Sequence, residues 1–120
     1  MQVTFHSIDN ENNKIFFKSL ASKNDNIISF EDKSTMNTTI FLEIKDLSII
    51  FIRKGNINMN IELILNNKTQ AKYKNKMGLE FDFEVFTNKL IIEKNKITIE
   101  YIMFLDNEEI SSHKIWILFH

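Results

Sequence analysis

Period two dominates the chain: apolar and polar positions alternate nearly everywhere, and no window carries a sustained helical period of 3.6 residues. Ile40, Leu42 and Ile44 share one face, against Phe41, Glu43 and Lys45. Ile57, Met59, Ile61, Leu63 and Leu65 form a second such row, and Leu79, Phe81, Phe83 and Val85 alternate with Glu80, Asp82 and Glu84. Ile97, Ile99, Tyr101, Met103 and Leu105 line a fourth row, and Ile115, Ile117 and Phe119 a fifth. Turn-forming residues punctuate these runs at Asp9–Asn13, Lys23–Asn26, Lys45-Asp46, Gly55-Asn56, Asn66-Asn67, Met77-Gly78, Asn88-Lys89, Lys94–Lys96 and Asp106–Glu108. Connectors this short join antiparallel neighbours, because a parallel crossover needs about a dozen residues or more.

The pattern therefore predicts an all-β meander of about ten strands. A sheet that long curls or splits, and closure removes the edges through which it would aggregate. An up-and-down barrel over residues 1–120 as one domain is the expected architecture, with a two-sheet sandwich as the alternative. One hairpin carries a local expectation. A three-residue loop at Met77–Leu79 would set Lys76 opposite Glu80, Lys74 opposite Asp82 and Lys72 opposite Glu84, with Tyr73 facing Phe83 on the buried side. The lysine-rich stretch KTQAKYKNK (68–76) then reads as a solvated, charge-complemented face rather than a nucleic-acid patch.

Composition narrows the function classes. At 120 residues the chain can bury a real core, and its longest apolar run, near 48–52, is far short of the roughly 18 residues of a spanning helix. The opening MQVTFHSIDNENN has neither a basic nor an apolar leader region, so no secretory signal is expected. The absence of cysteine removes disulfides, thiolate metal sites and thiol nucleophiles, and a cytoplasmic location is the default expectation. A net charge of −1 supplies no field for phosphate backbones or anionic lipid, so neither nucleic acid nor membrane is an expected partner. Proline is absent and glycine occurs only at Gly55 and Gly78. Asn must then make most of the turns, which its tolerance of positive φ allows.

Three segments together resemble a known family: TTIFLEIKDLSIIFIRKGNINMNIEL (38–63), KYKNKMGLEFDFEVFTNKL (72–90) and ITIEYIMFLDNEEIS (97–111). They resemble, in order and spacing from about Thr35 to Ser111, the YwiB-like family of small bacterial proteins of unknown function. The IRKG at Ile52–Gly55 is the most specific piece. The resemblance implies a lipocalin-like, or calycin, β-barrel and brings no reaction with it.

The candidate chemistry is sparse. Arg53, the only arginine, shares a strand face with Leu47, Ile49 and Phe51. If that face is the barrel interior, Arg53 lies near one mouth, where its guanidinium could hold a carboxylate or phosphate bidentately; otherwise it pairs with Glu62 or Glu43, or reaches solvent. If a ligand site exists, Arg53, Phe51, Ile49 and Tyr101 are its expected residues. His6, His113 and His120 lie near the chain ends, where the first and last strands of a barrel would bring His6 towards His113. Their spacing matches no zinc motif, and His120 is expected to fray. Glu80, Asp82 and Glu84 look uniformly exposed rather than differentiated for acid–base work. No G-x-S-x-G elbow surrounds any serine, and neither glycine belongs to a phosphate-cradling loop. The aromatics fall on faces already apolar, as core residues do. No metal and no cofactor is implied, and an enzyme is the least supported class.

One feature of LSIIFIRKGN (47–56) remains: both faces are apolar. Ile50 and Ile52, with Ile102, Phe104, Trp116 and Leu118, form a second apolar set that needs a cover. Either the N-terminal strands fold across it, or a second copy packs there as a homodimer. Two functions follow: a barrel binding a small apolar or anionic ligand, with Arg53 as anchor, or a side-chain-filled interaction module acting through its outer wall.

Overall fold

The computed structural model describes residues 1–120. Ten strands follow one another: β1 (Gln2–Asp9), β2 (Lys14–Asn24), β3 (Ile27–Glu31), β4 (Thr38–Ile44), β5 (Ser48–Gly55), β6 (Asn58–Ile64), β7 (Lys68–Lys74), β8 (Glu80–Ile92), β9 (Lys96–Leu105) and β10 (Glu108–Phe119). Each pairs antiparallel with its neighbours in sequence. β1 closes the ring on β10, with Phe5 opposite Ile117 and Asp9 opposite His113. The all-β, up-and-down, lipocalin-like barrel is thus realised, and closure removes the sandwich alternative. No helix is long and apolar enough to cross a membrane.

Alternation sends one residue in two inward, and the structure decides which face that is: the rows of Ile40, Ile61, Val85, Ile97 and Ile117 turn inward, and β1 adds Val3 and Phe5. Val3, Phe5, Ile40, Leu42, Ile49, Ile61, Leu63, Val85, Ile97, Ile99 and Ile117 are all but inaccessible to solvent. Each such side chain contributes about 1.5–3 kcal/mol on leaving water. The turns fall to the residues expected: every non-glycine residue with positive φ is Asn or Asp, at Asn12, Asp25, Asn37, Asn66, Asp106 and Asn107.

Four local expectations are corrected. The 75–79 loop spans five residues rather than three, because the Asn75 carboxamide oxygen accepts the amides of Met77 and Leu79, each at 3.0 Å, and closes the turn early. The register therefore pairs Lys74 with Glu80, Lys72 with Asp82 and Tyr73 with Phe81, leaving Lys76 in the loop. Next, Asn88-Lys89 is no turn. β8 runs straight through it with a bulge between Thr87 and Lys89, an extra residue that switches the inward set from Phe83 and Val85 to Leu90 and Ile92. A further break, at Asp32–Asn37 between β3 and β4, carried no turn signal strong enough to be read. The two errors offset one another in the strand count.

The termini supply the other two corrections. His120 is held, not frayed: its backbone exchanges hydrogen bonds with Gln2 at 2.8 and 3.0 Å, and Nε2 lies 3.1 Å from Thr4 Oγ1. His6 and His113 do not meet, because they stand on opposite faces of the wall: His6 contacts Phe16 and Trp116 outside, and His113 lines the interior.

The second apolar set is likewise not one wall. Ile50 and Ile52 lie on β5, across the ring from Trp116 and Leu118 on β10. On adjacent strands, Ile102 and Phe104 pair with Ser112 and Glu109, several residues from Trp116. A cationic side chain covers part of it, with Lys68 Nζ 4.7 Å from the Phe104 ring centre; beside Ile52, Lys54 Nζ likewise lies 5.6 Å from the ring centre of Phe41. The N-terminal strands do not fold across it, since β1 to β3 are themselves staves of the barrel.

Candidate functional site

Barrel diameter grows with strand number, and a ring of eight is already wide enough to hold a small ligand. Ten strands enclose more than the inward side chains fill. Aliphatic residues such as Ile28, Ile40, Leu42, Ile49, Leu63 and Ile97 fill one half. The other half, towards the loops after β1, β3, β5, β7 and β9, holds a cavity of about 510 Å³ lined by sixteen residues, eleven of them hydrophobic. That volume lies within the range of about 300–1,000 Å³ usual for small-molecule pockets.

Of the residues singled out in the sequence, Phe51, Arg53 and Tyr101 line this cavity, brought together from β5 and β9. Ile49 shares their face but lies one step deeper, fully buried in the filled half, and does not reach the cavity. Arg53 neither pairs with Glu62 or Glu43 nor reaches freely into solvent. Those glutamates flank Ile50 on the outer wall, and Glu62 instead meets Lys45 at 3.9 Å. The partner is Asp32, whose Oδ2 lies 3.4 Å from Arg53 Nε; the Asp32 side chain is fully buried and that of Arg53 is 19% exposed. Asp32 continues the inward row of Ile28 and Phe30 beyond the end of β3, and that parity was the signal that could have found it. Its Oδ1 accepts the amide and hydroxyl of Ser34. Neither Asp32 Oδ2 nor Arg53 Nε completes a hydrogen bond. The guanidinium stands 5.8 Å from the Phe51 ring centre.

The wall opposite β5 is polar and aromatic. Tyr101 stacks on His113, with ring centres 4.8 Å apart and planes at 21°. Burial pushes the Tyr101 phenol up to about 12, against a smaller opposing pull from Arg53, so it remains a neutral donor. Burial also holds the His113 imidazole below its ordinary value; Asp9 pulls it up and Arg53 down. His113 Nε2 shares a hydrogen bond of 2.9 Å with Ser111 Oγ. Asp9, at the rim and opposite His113 in the register, is held below the usual carboxylate range, first by the Asn13 side chain and then by the Asn13 amide. It caps the β1–β2 turn, accepting from the amides of Glu11 and Asn13 at 2.9 Å each. Composition and spacing did not single out Asp9, Tyr73, Phe81 or His113 as cavity residues, although row parity assigned Tyr73 and Phe81 to the inside.

Chemically, the cavity offers one cation paired with Asp32, a rim carboxylate at Asp9, a neutral phenol, a neutral imidazole and a large apolar surface. No group of three His, Asp or Glu side chains is arranged to hold a metal ion.

Comparison with known proteins agrees with this architecture. A family model described as a domain of unknown function (DUF1934) matches residues 3–117, which extends the resemblance seen in the sequence across the N-terminal strands. The crystal structure of the ywiB protein from Bacillus subtilis superposes with a TM-score of 0.68 at 17% identity, covering 99% of this chain and 90% of that one. At that identity the likeness is one of fold. No curated protein matches the chain.

Proposed function

The chain belongs to the DUF1934 family, whose description assigns no function, and we propose that it acts by binding, holding a small apolar molecule with an anionic group in the open half of its barrel. The observation behind this reading is a cavity of about 510 Å³ containing the chain's single arginine, whose Nε lies 3.4 Å from Asp32 without completing a hydrogen bond. A guanidinium carries five donors, and those turned away from Asp32 can take a ligand carboxylate or phosphate. Arg53 on β5 and Tyr101 on β9 supply charge and a neutral donor, and Phe51 supplies apolar contact.

Mass spectrometry under native and denaturing conditions tests the proposal on protein purified gently from cells. Added mass that disappears on denaturation, and is lost in Arg53→Ala, is the expected result. A bare protein that also fails to bind anionic amphiphiles in titration overturns it.

A second reading, a homodimer formed through the outer wall, is favoured by Phe16 and Leu20 on β2, which are 64% and 81% exposed. Sedimentation as a monomer at high concentration removes that reading.

A further inference from the structure

The interior is segregated by side-chain type, and the segregation bears on what the cavity takes. The core outside the cavity is mostly aliphatic, its rings being Phe17 and Phe30 against Phe5, whereas the cavity lining includes six Phe or Tyr rings. Phe81 and Phe83 lie 6.1 Å apart with planes at 22°, and Tyr73 lies 6.2 Å from Phe81. The Tyr101–His113 stack on β9 and β10 lines another part of the same cavity. Phe51 and Arg53 look across from β5, which is diametrically opposite β10 in the ring of ten.

Resting on the binding function proposed above, we infer that the ligand class is a flat aromatic or heteroaromatic acid rather than an acyl chain, its ring against Phe81 and Phe83 and its acidic group on Arg53. Three physical reasons support the choice. Ring faces and edges carry opposite partial charge, so a lining of rings in offset and tilted pairs accepts another ring at its edge or face. A rigid ring also gives up little conformational freedom on binding, whereas a flexible chain loses a rotamer at each bond. The aliphatic half closes the floor of the cavity, so an extended chain has no channel to run along.

The test is calorimetric titration of the full-length protein with 2-naphthoate and with undecanoate, which carry equal numbers of carbons and the same charge. Naphthoate binding at least about tenfold tighter, a difference of about 1.4 kcal/mol, is the expected result. The preference should disappear in the Phe81→Leu/Phe83→Leu variant while undecanoate affinity is kept. Undecanoate binding as tightly as naphthoate, or more so, overturns the aromatic inference and leaves the anion-binding proposal standing. Binding of neither acid, or binding of both unchanged in Arg53→Ala, overturns the two together. The wild-type comparison decides the matter even if the double variant fails to fold.

Discussion

Arg53 Nε lies 3.4 Å from Asp32 Oδ2 across the intervening strand β4, in a pair that no hydrogen bond completes. The carboxylate neutralises the arginine without occupying its donors well, and it ties the 32–37 loop to the barrel interior. A ligand anion therefore competes with Asp32 for the same cation.

Stability and affinity should accordingly move in opposite directions in Asp32→Asn. The amide oxygen still accepts from Ser34, but Arg53 loses its counter-charge. Unfolding in urea should show a loss of about 2 kcal/mol, below the ~3–5 kcal/mol of a fully enclosed pair, because Arg53 keeps some access to water. Affinity for an anionic probe should rise about tenfold. Weaker binding in the variant would show that Asp32 orients Arg53 for its ligand rather than competing with it.

The two glycines should tolerate alanine very differently. Gly55 has φ of +144°, and a Cβ there would stand 1.8 Å from the Asn37 carbonyl oxygen. Gly78 has φ of +86° with open space around it. Gly78→Ala should cost about 1 kcal/mol, the backbone term alone. Gly55→Ala should cost about 3 kcal/mol or more, since β4 must move as well. Equal denaturation midpoints for the two variants would remove the close approach of Asn37 as the cause.

Acid should act through His113. Its folded value is depressed by burial below the ordinary 6.5, so the unfolded chain binds the proton more readily. Stability is full above pH 6.5 and is lost as pH falls from there through the lowered folded value. His113→Phe, which preserves a ring against Tyr101, should flatten the slope of unfolding free energy in that window. Asp9 has its own, lower window: its depressed value adds stability present above pH 3.8 and lost as pH falls through the folded value. A slope below pH 6.5 that survives His113→Phe would place the titration elsewhere.

Alkali should act through Tyr101. Its folded value is raised from 10.0 to about 12, so its contribution is complete below pH 10.0 and is lost as pH rises towards 12. Ultraviolet absorbance should show a phenol ionising late, together with unfolding, and Tyr101→Phe should remove that component. Ionisation near pH 10 in the intact fold would contradict the burial of this hydroxyl.

Deleting Asn88 should abolish folding rather than shorten a loop. The bulge at this point lets Val85 and Leu90 both face the core. Without the extra residue, one end of β8 presents its polar row inward. A cooperative unfolding transition close to that of the full chain would mean that the strand tolerates the slip.

The sequence by itself determined which residues share a strand face, because a strand's period of two shows it directly. It determined the antiparallel meander, because Asn and Asp mark most of the short connections and six of them take up positive φ. It also set Phe51 and Arg53 on one strand face, and Tyr101 in the row of Ile97 and Ile99. Three things were decided only by the tertiary structure. The partner of Arg53 sits two strands away on a loop, and contact across strands depends on register rather than on spacing along one chain segment. The bulge in β8 depends on how β9 lies beside it, since Asn88-Lys89 taken alone has the composition of a turn. The division of the interior into a mostly aliphatic half and a ring-rich cavity depends on which ends of alternate strands meet at the same end of the barrel. That last fact placed Ile49 in the packed floor and Phe51, two residues on, at the edge of the open space.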